Sequence, residues 1–298
     1  TSVSRGLGDV YKRQLQIIFT NYSIKLKLLM NSIIKTTILG CGSSGGVPRI
    51  DGDWGVCDPK NEKNVRTRCS ILVERITEDK KTVVLIDTSP DMRYQLLKAG
   101  VKSLDAVLYT HDHADQSGGI DDLRVFALRK RERVNVYFDK DTASRLIPRF
   151  NYCFRSGEKQ GYPSILAENF IKPYEELIID GPGGKLCFIP FLQDHGSISS
   201  LGFKFNNIAY SSDVVDFPDK SLEYISNLDY WIVDALRITP HPTHSHLDKT
   251  LNWINNFSCK QAYLTNMHID LDYEQLLNTL PNNVKPSFDG FSFNMNVL

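Results

Sequence analysis

Short apolar runs, broken by stretches rich in Gly, Asn, Asp and Pro, set the pattern of this chain. Ser32–Leu39 (SIIKTTIL) reads as a strand that runs into a glycine-rich turn, Gly40–Pro48. Asp51–Arg68 is polar and reads as a loop, and Ser70–Arg75 and Thr82–Asp87 read as two strands. Met92–Ala99 predicts a short helix ended by Gly100, and Ala106–Thr110 (AVLYT) a buried strand. A helix over Ile120–Arg131 and a strand over Val134–Phe138 follow, then an aromatic, irregular insertion over Asp141–Glu175. Leu186–Leu192, Leu201–Phe205, Ile208–Ser211 and Tyr230–Asp234 are short apolar strands. Asp248–Phe257 reads as a helix, Gln261–Thr265 as a strand and Asp272–Thr279 as a helix. Both halves are strand-rich with helices interspersed, and no long linker separates them. The pattern predicts one layered α/β or α+β domain over residues 30–298.

Residues 1–29 stand apart. Back-translation of Asp9–Gln14 (DVYKRQ) resembles a transposon mosaic end, and no small-residue cleavage site follows the broken apolar patch. A non-native leader is therefore expected there, with Met30 as the start. Lys plus Arg and Asp plus Glu are both 35, so no global basic excess points to a general nucleic-acid binder. No apolar run is long enough to span a membrane. The six cysteines are scattered without a C-x-x-C pair, which fits reduced thiols and a cytoplasmic location.

All seven histidines lie beyond residue 110. The strongest signal is Thr110-His-Asp-His-Ala-Asp-Gln116, where a buried strand ends and a helix should begin. His111 and His113, one residue apart on an extended loop, can converge on one cation through ring nitrogens. Asp115 adds a hard oxygen ligand suited to a second cation nearby.

These residues resemble the H-x-H-x-D-H signature of the metallo-β-lactamase superfamily. In the family's order the chain then supplies His195 (LQDHGS), Asp213 (IAYSSD) and His268 (LTNMH), with Asp87 at the end of Val83–Asp87 as the bracing strand-end aspartate. The glycine turn, Gly119-Ile-Asp-Asp-Leu-Arg124, Thr243-His-Ser-His-Leu247 and Phe288-Asp-Gly-Phe291 look closest to PhnP-like cyclic phosphodiesterases, with tRNase Z more distant. The resemblance implies an αββα sandwich. It assigns His111, His113, His195 and Asp213 to a first cation, and Asp115, His268 and Gln116 to a second. It also implies that a histidine ahead of the penultimate helix acts on the substrate. A gapless count gives His244; His246 is the alternative, and one of the two is left to cap that helix.

Two positions depart from the family. Gln116 stands where the signature has His, and Leu264-Thr265-Asn266 where it has Leu-Thr-His. Both fall on the second cation, which is expected to bind more weakly than the first. Cys41, Cys57 and Cys69 are too spread for a structural zinc cluster. Arg124 is a candidate phosphate ligand, with a salt bridge to Asp121 or Asp122 as the competing role. Tyr152, Phe154 and Tyr162 are candidates to stack on a base or sugar, or to pack the insertion.

The resemblance thus implies a metal-dependent phosphodiester hydrolase using one or two divalent ions (Zn²⁺, Mn²⁺ or Fe²⁺) on a small or cyclic substrate. Its alternatives are a tRNase Z-like nuclease, a thioester or lactam hydrolase, and a non-catalytic metal-binding scaffold. The expected partner is the small-molecule substrate, without a membrane. Nucleic acid is not favoured, and homodimerisation stays open.

Overall fold

Two seven-stranded sheets carry the fold. The computed structural model describes residues 14–16, 32–155 and 163–297, so the leader assigned to residues 1–29, apart from 14–16, and Tyr162 lie outside the described residues. The strands of the first half of the chain are β1 (Ser32–Gly40), β2 (Ser70–Thr77), β3 (Lys80–Ile86), β4 (Ala106–Leu108), β5 (Val134–Phe138) and β6 (Leu166–Phe170). Those of the second half are β7 (Leu177–Ile179), β8 (Leu186–His195), β9 (Ile198–Phe205), β10 (Ile208–Ser211), β11 (Tyr230–Asp234), β12 (Gln261–Thr265), β13 (Val284–Pro286) and β14 (Ser292–Asn296). The first sheet has the order β14-β1-β2-β3-β4-β5-β6 and the second β13-β12-β11-β10-β9-β8-β7. Each is antiparallel at one side and parallel at the other, with the change at β3 and at β10. Among the described residues only β14 crosses back, to pair with β1.

The two-residue period of the strands explains the layering. In β2, Ile71 and Val73 enter the core shared by the sheets, whereas Leu72 enters a second core on the outer face. Val84 and Ile86 of β3 repeat this, with Val83 and Leu85 facing outward. Phe188, Phe203, Tyr210 and Trp231 meet the first set from the other sheet. The helices cover the outer faces. They are α1 (Met92–Lys98), α2 (Arg124–Lys130), α3 (Lys140–Arg149), α4 (Leu247–Asn256) and α5 (Tyr273–Thr279). Met92, Leu96, Leu123 and Leu146 fill the outer core of the first sheet, and Trp253 and Ile254 pack with the core around Trp231. The α+β sandwich of the sequence reading is the observed architecture.

The insertion differs from its expectation. Asp141–Glu175 is not irregular throughout; it holds most of α3, a helical turn at Asn151–Phe154 and strand β6. The helix expected over Ile120–Arg131 begins as a 3-10 turn, Ile120–Leu123, before α2. Among the described residues no helix is long and apolar enough to cross a membrane.

Candidate metal centre

The residues of interest gather where the chain leaves the carboxyl ends of β3, β4, β8, β10, β11 and β12. Three of these exits place a non-glycine residue in the left-handed region: Asp87 (φ 65°), Asp213 (φ 51°) and Asn266 (φ 60°). Asp and Asn tolerate that conformation better than other side chains. It turns the chain sharply and leaves a short polar group at the site. The glycine turn sutures the sheets at the rim. Gly42 bridges both Arg68 and Met267, and Gly46 adopts φ 64° beside the Arg66 carbonyl.

A relay of hydrogen bonds fixes His111. Thr110 donates to Asp87 through its amide (2.8 Å) and its hydroxyl (2.9 Å). The same hydroxyl oxygen lies 3.0 Å from His111 Nδ1 and accepts its proton. His111 Nε2 is then a bare lone pair, fully buried and without a hydrogen-bond partner. His195 is set likewise: its Nδ1 donates to the Thr243 carbonyl (2.8 Å), and its Nε2 lies 3.3 Å from His113 Nδ1. The ligand atoms of His111, His113 and His195 all lie within 4.8 Å of one another. Burial first, then the neighbouring rings of His195 and His113, holds the His111 pKa well below the ordinary imidazole value. Its ring is neutral at pH 7, the form that binds metal. An orphaned buried lone pair facing two more imidazoles fits a divalent cation with an open coordination position.

A second group adjoins the first. The ligand atoms of His195, Asp213 and His244 also lie within 4.8 Å of one another. His244 Nδ1 sits 2.7 Å from Asp234 Oδ2, and its Nε2 3.9 Å from Asp213 Oδ1. Burial opposes its protonation, but the charge and hydrogen bond of Asp234, then Asp213 and Asp115, outweigh that and raise its pKa to about 9. Gln116 Nε2 donates to Asp213 Oδ2 (3.1 Å), while its buried Oε1 has no hydrogen-bond partner. Asp115 is half-buried. Burial, then the Asp213 charge, raises its carboxyl pKa, and it joins neither group of ligand atoms. Burial likewise lifts the Asp87 pKa well above the usual carboxylate range, against the two Thr110 bonds.

Other expected site residues lie elsewhere. His268, expected on a second cation, does not join either group of ligand atoms. Its Nε2 meets Arg49 Nη2 and its Nδ1 faces Asp270 Oδ1 at 3.1 Å, so both ring nitrogens are engaged outside the ligand groups. Arg124 pairs with Asp121 Oδ1 at 2.6 Å, the competing role weighed for it. His246 occupies the residue before α4 without a side-chain cap hydrogen bond. Phe154 is buried against Phe138, and Tyr152 is exposed.

Two groups, Asp234 and His241, escaped the sequence reading. Asp234 was visible as a strand-end carboxylate, the same signal that marked Asp87. Asn266 Nδ2 reaches Asp234 Oδ2 at 3.5 Å. The His241 ring lies 5.2 Å from that of His244, tilted by 57°, and its Nδ1 faces the amide and hydroxyl of Thr243.

Comparison with known proteins gives the family and the fold. The family description Beta-lactamase superfamily domain matches residues 82–269. A curated octanoyltransferase of Porphyromonas gingivalis (strain ATCC BAA-308 / W83) is 31% identical over 261 residues, 86% of this chain and 51% of that protein. The chain thus spans about half the length of the curated relative it matches. The crystal structure of a diphosphatase from the PhnP family superposes with a TM-score of 0.77 at 32% identity, covering 89% of this chain and 98% of that one. Zn²⁺-bound PqqB from Methylobacterium extorquens shares the fold at 15% identity, with a TM-score of 0.64 over 88% of this chain and 100% of its own.

Proposed function

The chain belongs to the beta-lactamase superfamily, as a hydrolase close to the PhnP-like branch, and from that premise we propose that it cleaves a small or cyclic phosphodiester with a divalent cation. The observation that carries this reading is the bare, buried Nε2 of His111 facing the ring nitrogens of His113 and His195. Those three groups would hold the cation, with Asp213 as the adjoining carboxylate. A cation bound there supplies a nucleophile at neutral pH by acidifying water, and offsets charge that builds on a phosphoryl oxygen.

The chain's own groups do the rest. Thr110 and the Thr243 carbonyl lock the tautomers of His111 and His195, so their Nε2 lone pairs stay presented. Asp234 anchors His244 through Nδ1, which leaves Nε2–H to face the substrate. In the metal-free chain Asp234 raises the pKa of this ring to about 9, which favours its protonated form. It can hydrogen-bond a phosphoryl oxygen or hand the proton to the leaving oxygen, a role worth on the order of 10²–10⁴ in rate. The PhnP-family diphosphatase supports phosphorus chemistry rather than another ester.

The test is elemental analysis of the purified chain together with turnover of bis(p-nitrophenyl) phosphate and a cyclic phosphate panel. Bound divalent metal with cleavage of a panel member is expected; metal-free protein without turnover refutes the reading. One observation favours a second reading. The relative named octanoyltransferase points to acyl groups, so an octanoyl thioester belongs in the same panel.

A further inference from the structure

The residue between the two ligand histidines is held from behind by a helix. In an extended segment successive side chains point to opposite sides. His113 is extended (φ −58°, ψ 152°), and the alternation sends His111 and His113 to one side and Asp112 to the other. Asp112 is 3% exposed, and an unpaired carboxylate there would be costly. Arg145 Nε meets Asp112 Oδ1 at 2.6 Å, and Arg149 Nη2 meets Oδ2 at 3.1 Å. Arg149 Nη1 also donates to the Asp112 carbonyl. Ser117 Oγ closes the loop from its own side, within 3.1 Å of the Asp112 carbonyl and 2.8 Å of the His113 carbonyl.

Both arginines come from α3, one turn apart, on a helix whose seat is fixed independently. Asp139 caps it by accepting from the Thr142 amide (2.8 Å). Ala143 and Leu146 are buried in the outer core beside Val136 and Phe138. The guanidinium forks therefore reach the loop from a rigid base, and they fix carboxylate and backbone of one residue together.

We propose that Arg145 and Arg149 are positioning residues that set, through Asp112, the loop presenting His111 and His113 to the cation. The inference rests on the metal-centre reading above. Outer groups of this kind alter metal affinity by about 10- to 100-fold when removed. The test is chelator competition with Co²⁺ on the full chain, with the visible spectrum of the Co²⁺-loaded protein and the melting temperature of the metal-free protein. Arg145→Gln/Arg149→Gln is expected to raise the Co²⁺ Kd about 10- to 100-fold and to change the ligand-field bands. Arg145→Gln alone acts on a side chain that is 40% exposed, so folding is retained, and a Kd about tenfold weaker is expected. A wild-type Kd and spectrum in either folded variant, even with a lowered melting temperature, would mean that the arginines only brace the fold, and would overturn the proposal. A wild-type chain that binds no Co²⁺ would instead sink the metal-centre reading itself.

Discussion

At the scale of residues, the proposed roles separate holding a cation, by His111, His113 and His195, from handling a proton, by His244. His111→Ala or His195→Ala removes a lone pair from the three-imidazole cluster, so metal and turnover should be lost together. His244→Ala should keep the metal and lose about 10²–10⁴ of the rate, read by metal content beside phosphodiesterase kinetics. Stoichiometric metal loss in His244→Ala would make it a ligand, and a larger rate loss in His246→Ala would move the proton role there. His244 also predicts a pH dependence of the metal-free protein. Its folded pKa, about 9, lies above the ordinary 6.5, so its contribution is complete below 6.5 and disappears as pH rises through 9. That shift corresponds to about 3 kcal/mol. The stability difference between wild type and His244→Gln in chelator, measured by urea unfolding, should therefore be largest near pH 6 and shrink by pH 9.5. A constant difference would reject the assignment. The motif residues were legible because they adjoin in sequence. Asp112 was not, because its partners lie 33 and 37 residues away.

At the scale of elements, legibility followed burial. Val134–Phe138, Ile208–Ser211, Tyr230–Asp234 and Gln261–Thr265 were read with their observed bounds because each is a short apolar run. The edge strands β7, β13 and β14 were missed. β7 and β13 have three residues each, β13 ends in Pro286, and SFNMN of β14 is mostly polar. A proline is tolerated at an edge because the sheet needs no further donor there. α3 was hidden by Pro148, which breaks a helical pattern in sequence. In the structure Pro148 stands one residue before the helix ends, and Leu146 packing holds the segment. The turn after the metal loop is less forgiving. A Cβ on Gly119 would lie 2.3 Å from the Ser89 carbonyl and 3.0 Å from Met92 Cβ. Gly119→Ala should cost about 1–3 kcal/mol, visible as a lower melting temperature, and an unchanged value would show that the α1 start yields freely.

At the scale of the whole molecule, the candidate centre joins the two sheets. His111 and His113 follow β4 of the first sheet, His195 ends β8 of the second, and Asp213 follows β10. A cation bound there would add a cross-link between halves of the chain that already meet through apolar packing, the Gly42 bridge to Met267 and the β1–β14 pairing. Free cation at 100 times its Kd should stabilise the fold by about 2.7 kcal/mol. Chelation should lower the melting temperature accordingly, and scanning calorimetry with and without EDTA checks it. No change would mean that the centre is empty or binds folded and unfolded chain alike. The sandwich itself was legible because alternation and apolar runs mark layers. The strand order was not, because pairing between β1 and β14 joins residues far apart in sequence.

That long-range pairing carries a consequence for biosynthesis. Ile33 lies opposite Asn296, so β1 waits for a neighbour that is synthesised long after it. Until then one flank of the first sheet presents open amides and carbonyls, a template for intermolecular association. Nascent chains stalled before Ser292 should be the species that need holding by chaperones. A chain truncated at Phe291 should aggregate during translation more than the full-length chain, whatever its affinity for metal.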